Sequence, residues 1–226
     1  MIDREVRFST MCWSDQLADA LTAELPALQQ PTDLTNFDTV LRLLLSRGHS
    51  TALEYAENTL DTHATTRDSQ IARRAALALV YEATPNTWPT VFAAMSTRPA
   101  WGRELVEDLA TGYRQPNPLI QLEEAQLGEL YRWLLEQYPP EEDIWRPEFH
   151  FVSRREDARN WRDRVLTTLQ LRSNAAAINE LANLVSAYPN RPWLRRTLAS
   201  AQESYRSTVW TPIRLRELRA LIAAAE

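Results

Sequence analysis

No lysine occurs anywhere in the 226 residues; all 25 basic side chains are arginine. Schiff-base chemistry, pyridoxal-phosphate anchoring and a P-loop lysine are therefore excluded, and the chain alone is not a P-loop ATPase. Cysteine is represented only by Cys12, so no internal disulfide forms. Glycine is scarce, at Gly48, Gly102, Gly112 and Gly128, while 13 prolines stand between apolar-periodic stretches. That pattern suits long helices joined by proline-punctuated turns and argues against a β-rich fold. No apolar run approaches the roughly 20 residues of a membrane-spanning helix. The first fifteen residues carry charges without an apolar signal-peptide core, so the expected location is cytoplasmic, with no membrane partner.

Catalytic and metal-binding residue types are equally sparse. Histidine occurs only as His49, His63 and His150, with no HExxH pattern and no second cysteine, so no metal site is expected. His49 follows Gly48 in a predicted helix–helix turn and is read there as a polar cap. No GxSxG elbow marks a nucleophilic serine. Neighbouring acids such as Glu107 and Asp108, or Glu123 and Glu124, diverge by about 100° on a helix and read as solvated faces rather than acid–base pairs. The expectation is a chain without catalytic residues, cofactor or metal, and not an enzyme.

What is present is helical periodicity, with 44% apolar and 24% charged residues, an ordinary globular balance. Ser14 is a good N-cap for a helix through Leu17, Leu21 and Leu25. Phe37, Val40, Leu41, Leu44 and Leu45 mark a second helix, which ends at Gly48 because glycine accepts the left-handed conformation past a helix end. Thr51 and Glu54 have capping-box spacing ahead of Ala56 and Leu60. Apolar stripes follow at Ile71 to Leu79, Val91 to Met95 and Leu105 to Tyr113. Leu127, Leu130, Tyr131, Leu134, Leu135 and Tyr138 form a strongly amphipathic helix before Pro139.

Residues 139–152 lack clean periodicity and are the expected linker between an N-terminal helical array, residues 1–138, and a C-terminal four-helix segment, residues 153–226. Ser153 and Glu156 have capping-box spacing at the start of a helix with Ala158, Trp161, Val165 and Leu169 on one face. Three more helices are predicted, carrying Ile178 to Tyr188, Leu194 to Tyr205 and Leu215 to Ile222, with Pro192 and Pro212 near first-turn positions. About ten helices with short turns predict an all-α fold of helical hairpins stacked as a HEAT-like α-solenoid.

Charge is divided unevenly. Residues 1–150 hold 12 arginines and 23 acids, a net −11, and residues 151–226 hold 13 arginines and 7 acids, a net +6. Arg155, Arg159 and Arg162 share a stripe by their i, i+4 and i+7 spacing, and Arg195 and Arg196 add charge near another helix. These five arginines, with Trp145 in the irregular segment, are the candidate partner-binding residues. Trp145 either plugs the seam between sub-bundles or serves as a contact anchor. Trp101, Trp133 and Trp161 are expected in the core. A protein partner is favoured over nucleic acid, because the whole chain is acidic and aromatic residues are not interleaved with the arginine stripe.

Several short runs resemble the C-terminal helical region of large bacterial NACHT-type NTPases of the STAND class. They are Arg47-Gly48-His49 with Ala52, Leu53, Tyr55 and Ala56; LLEQYP at 134–139; VSRREDARNWRD at 152–163; Trp193-Leu194; and TVWTP at 208–212. Some members of that class resemble anti-phage defence sensors. The resemblance implies a HEAT-like array that senses a ligand or holds an NTPase domain, its partner in cis, inactive. The Walker A loop of such NTPases is missing from these residues, so no catalytic residue carries over. Two other classes remain open beside this recognition module: a nucleic-acid binder using the arginine-rich helices, and an oligomeric scaffold in which the oppositely charged halves pair between chains.

Overall fold

The computed structural model describes residues 13–63, 69–82, 85–111, 117–140 and 154–225. The chain divides into two compact units, Met1–Gln121 and Leu122–Glu226. The fold is all-α, with ten α-helices and two short 3-10 turns among the described residues.

The first unit contains α1 (Asp15–Glu24), α2 (Leu34–Ser46), α3 (Ser50–His63), α4 (Ser69–Glu82), α5 (Trp88–Thr97) and α6 (Pro99–Thr111), with 3-10 turns at Ala27–Gln29 and Pro118–Ile120. Ser14 caps α1 as expected, its Oγ accepting from the Leu17 N–H at 3.2 Å. Gly48, at φ +71°, ends α2 in a Schellman motif. The Gly48 N–H donates to the Leu45 carbonyl at 2.9 Å and the His49 N–H to the Leu44 carbonyl at 3.2 Å, satisfying carbonyls the helix end would otherwise orphan. The chain turns at once into α3, which starts at Ser50. Thr51 therefore lies inside the helix rather than capping it, and the Thr51–Glu54 capping box is not used.

Each helix of this unit packs on the next and on the next but one, the arrangement of stacked helical hairpins. Phe37, Leu41, Leu44, Ala52, Ala56, Leu60, Ala75 and Leu79 are fully buried. Small alanine faces let α3 and α4 approach closely. Polar straps run between alternate helices. Arg42 of α2 donates to Glu82 of α4 at 2.9 and 2.6 Å and lies over the Tyr81 ring at 5.2 Å. Arg73 of α4 pairs with Glu104 and, at 3.7 Å, with Asp108 of α6. Thus Asp108, read from the sequence as part of a solvated face, joins an inter-helix ion pair.

The second unit contains α7 (Glu124–Gln137), α8 (Arg154–Arg172), α9 (Ala175–Ala187) and α10 (Pro192–Ala225), again packed in consecutive and alternate pairs. Its boundary precedes α7 instead of falling in residues 139–152, because α7 buries its Leu127, Leu130, Leu134 and Leu135 face against α8 and α9. The four helices of this unit are therefore α7 to α10, not four within residues 153–226. Residues 141–153, including Trp145, Ser153 and most of the predicted linker, lie outside the described residues. Trp101, Trp133 and Trp161 are buried, as expected.

Two predicted C-terminal helices are one. α10 runs 34 residues, straight through Pro212, although proline removes one backbone donor from the ladder. No helix among the described residues is long and apolar enough to cross a membrane.

Candidate interaction surface

The second unit is built around an antiparallel pair, α7 and α8, tied at both ends by arginine. At one end Arg172 Nη2 donates to the Leu122 carbonyl at 2.5 Å, and its Nη1 lies 3.2 Å from the Glu124 carboxylate. At the other, Arg162 Nη1 donates to the Tyr138 carbonyl at 2.6 Å. Arg162 also donates through Nε to the Arg159 carbonyl at 3.2 Å and is only 8% exposed.

The predicted arginine stripe is corrected by this geometry. Arg162 faces inward with Ala158, Trp161, Val165 and Leu169, all buried, and its charge is spent on a helix-end carbonyl. Arg159 is half-buried beside it. The side chain of Arg155 lies outside the described residues, as does Trp145. Arg195 and Arg196, by contrast, are both exposed on α10. Arg195 Nη2 donates to the Pro189 carbonyl at 2.6 Å, which steadies the guanidinium without hiding it.

Sequence reasoning missed three polar contacts that hold α9 and α10 onto α7. Asn174 caps α9 by accepting from the Ala177 N–H at 2.7 Å and donates to Glu124 of α7 at 2.9 Å. That hydrogen bond, followed by the Arg172 charge among smaller causes, outweighs burial and holds the Glu124 carboxyl below its ordinary range. Glu180, buried on α9, accepts from Arg132 of α7 at 2.6 Å and from Asn183 at 3.2 Å. Trp193, at the start of α10, donates its indole N–H to the Tyr131 hydroxyl at 2.9 Å. Burial pushes the Tyr131 phenol up, against the opposing effect of that hydrogen bond.

Most of the remaining described charge on this unit faces water, while Arg191 is half-buried over the Trp193 ring. Arg164, Arg195, Arg196, Arg206, Arg216 and Arg219 are exposed, as are the acids Glu123, Glu129, Glu136, Asp163 and Glu203. Among the described side chains of α10, three large apolar ones are exposed as well: Tyr205 at 36%, Leu215 at 52% and Ile222 at 60%. No group of three or more His, Cys, Asp or Glu side chains able to hold a metal ion occurs among the described residues. The arrangement offers binding chemistry through guanidinium and apolar contacts.

No family model, curated protein or solved structure matches this chain.

Proposed function

We propose that this chain is a non-enzymatic, cytoplasmic recognition module whose C-terminal unit contacts a protein partner through the outer surface of α10, with Arg195 and Arg196 as charged anchors. The observation that supports this reading is the sorting of the arginines. Arg132, Arg162 and Arg172 are buried or half-buried on carboxylates and carbonyls of their own unit, whereas Arg195, although held at the Pro189 carbonyl, and Arg196 are exposed, with Tyr205 further along the same helix. Arginine and tyrosine dominate binding free energy at protein interfaces because each combines apolar area with directional hydrogen bonding. A guanidinium already held by the Pro189 carbonyl loses less freedom on binding.

The test is affinity capture with the full chain beside an Arg195→Glu/Arg196→Glu variant. A partner retained by the first and lost from the second supports the reading. Equal capture by both removes these anchors from it.

The net +6 of residues 151–226 supports a second reading as a nucleic-acid binder. That reading requires an affinity for DNA or RNA that falls steeply and log-linearly with salt. The resemblance to NACHT-type NTPases supports placing the module at the ligand-sensing or autoinhibitory end of a bacterial anti-phage protein of that kind. Sequencing the DNA upstream of the Met1 codon tests this. An in-frame Walker A motif supports an NTPase partner in cis, and a stop codon with a ribosome-binding site makes the module a free-standing adaptor.

A further inference from the structure

Along α10, positions Leu194, Ala201, Leu215 and Ile222 fall on one heptad series, with Thr208 completing the spacing. The first two are fully buried, and the last two are 52% and 60% exposed. Leu194 and Ala201 are thus covered in the first half of α10, while Leu215 and Ile222, one heptad apart, form an open seam in its second half. The neighbouring helices explain the change: α8 has 19 residues and α9 has 13, against 34 in α10. Gln170, two residues before α8 ends, donates to Ser200 of α10 at 2.9 Å. Beyond that level α10 runs on for roughly 20 residues, about 30 Å of helix. The second half of α10 has outrun both.

The charge beside this seam is arginine. Between Tyr205 and Ile222 the sequence carries four arginines and one acid, and Arg206, Arg216 and Arg219 are exposed. Arg219 lies four residues past Leu215 and three before Ile222, so it shares their face.

Resting on the recognition reading above, we propose that the projecting half of α10 is a docking strip for an amphipathic helix of a partner protein, one whose apolar stripe is flanked by aspartate or glutamate. Seven-residue spacing of apolar positions is the spacing by which helices pack along one another, and acidic flanks answer the arginines across such a seam. A second copy of the chain would bring arginine-rich strip against arginine-rich strip. A lipid surface calls for a broad apolar face, whereas Arg219 lies within this stripe.

Two synthetic three-heptad peptides serve as probes, both with leucine at a and d, one with glutamate and the other with lysine at e and g. Each is titrated against the full chain by fluorescence anisotropy at about 50 and about 300 mM salt. The acidic peptide should bind at least about tenfold more tightly than the basic one. Leu215→Glu with Ile222→Glu should abolish that binding, and Arg216→Glu with Arg219→Glu should reverse the preference. The substituted side chains are exposed, and circular dichroism confirms that each variant folds.

Equal binding of the two peptides, or binding of neither, overturns the proposal. So does a dimer in sedimentation that Leu215→Glu dissolves, which assigns the strip to a second copy. Binding to phosphatidylserine-rich vesicles that the same variants abolish assigns it to lipid. If neither peptide binds while a captured partner is still lost on Arg195→Glu/Arg196→Glu, the strip falls and the recognition reading stands. If that partner is also insensitive to those substitutions, both fall.

Discussion

The Glu180 carboxylate lies directly over the backbone of Gly128: a Cβ built at position 128 would come within 1.8 Å of Glu180 Oε1, 2.4 Å of Cδ and 2.7 Å of Cγ. The absence of a side chain on α7 is what admits a buried carboxylate from α9, and Arg132, one turn along α7, holds that carboxylate in place at 2.6 Å.

Gly128→Ala is therefore expected to destabilise the protein, against the usual trend. In an open helix interior, alanine gains roughly 1 kcal/mol over glycine. Here the added methyl must displace Glu180 from Arg132 and Asn183, and overpacking with loss of a charged hydrogen bond outweighs that gain, for a net loss of about 1–3 kcal/mol. Urea unfolding followed by tryptophan fluorescence measures it. Gly128→Ala combined with Glu180→Ala should be more stable than the sum of the single changes predicts, and simple additivity would show that the contact does not matter.

Arg162 and Arg195 were equivalent candidates in the sequence and are opposite in the structure. Arg162→Ala leaves the Tyr138 carbonyl without its charged donor and opens a gap beside Trp161, so a loss of about 2–3 kcal/mol is expected. Arg195→Ala, on an exposed face, should change stability by no more than about 0.5 kcal/mol. A comparison of urea midpoints checks both. Equal effects would contradict the assignment of one arginine to the fold and the other to the surface.

The helices were legible because their apolar spacing is dense. Leu127, Leu130, Leu134 and Leu135 define α7 without help from anything distant, and Ser14 and Gly48 mark ends by local chemistry. The arginine stripe misled because i, i+4, i+7 spacing shows that Arg155, Arg159 and Arg162 share a side of α8 without showing which side is covered. The signal was there to be used: Arg162 lies four residues after Ala158 and three before Val165, on the buried stripe itself. Pro212 misled in the same way. It reads as a helix start by local preference, yet apolar positions at helical spacing stand on both sides of it and the helix runs through. The Glu180–Gly128 contact joins residues 52 positions apart, and nothing local to either announces it.

Glu124 makes the stability of the second unit sensitive to acid. Its carboxyl is held below the ordinary value of 4.5, first by the Asn174 hydrogen bond and in smaller part by Arg172. The folded state therefore binds this proton less readily than the unfolded chain. The stabilisation is fully present above the unfolded value and is lost as pH falls through the lower folded one. Glu124→Gln should flatten the acid limb of a plot of urea midpoint against pH and leave its neutral region sloping as before. An unchanged acid limb would place the sensitivity on other carboxylates.

Gly48 provides the counterpart to Gly128. Nothing lies within 4 Å of a Cβ built at position 48, but its φ is +71°, so a substitution meets open space and an unfavourable backbone. Gly48→Ala should cost about 1–2 kcal/mol from the left-handed conformation alone. Gly48→Asn should cost less, because asparagine enters that region more readily. At position 128 the order reverses, since the obstacle there is volume and asparagine is larger than alanine. Four single variants, each measured by urea unfolding, compare the two sites. Alanine proving better than asparagine at position 48 would show that local strain does not govern that turn.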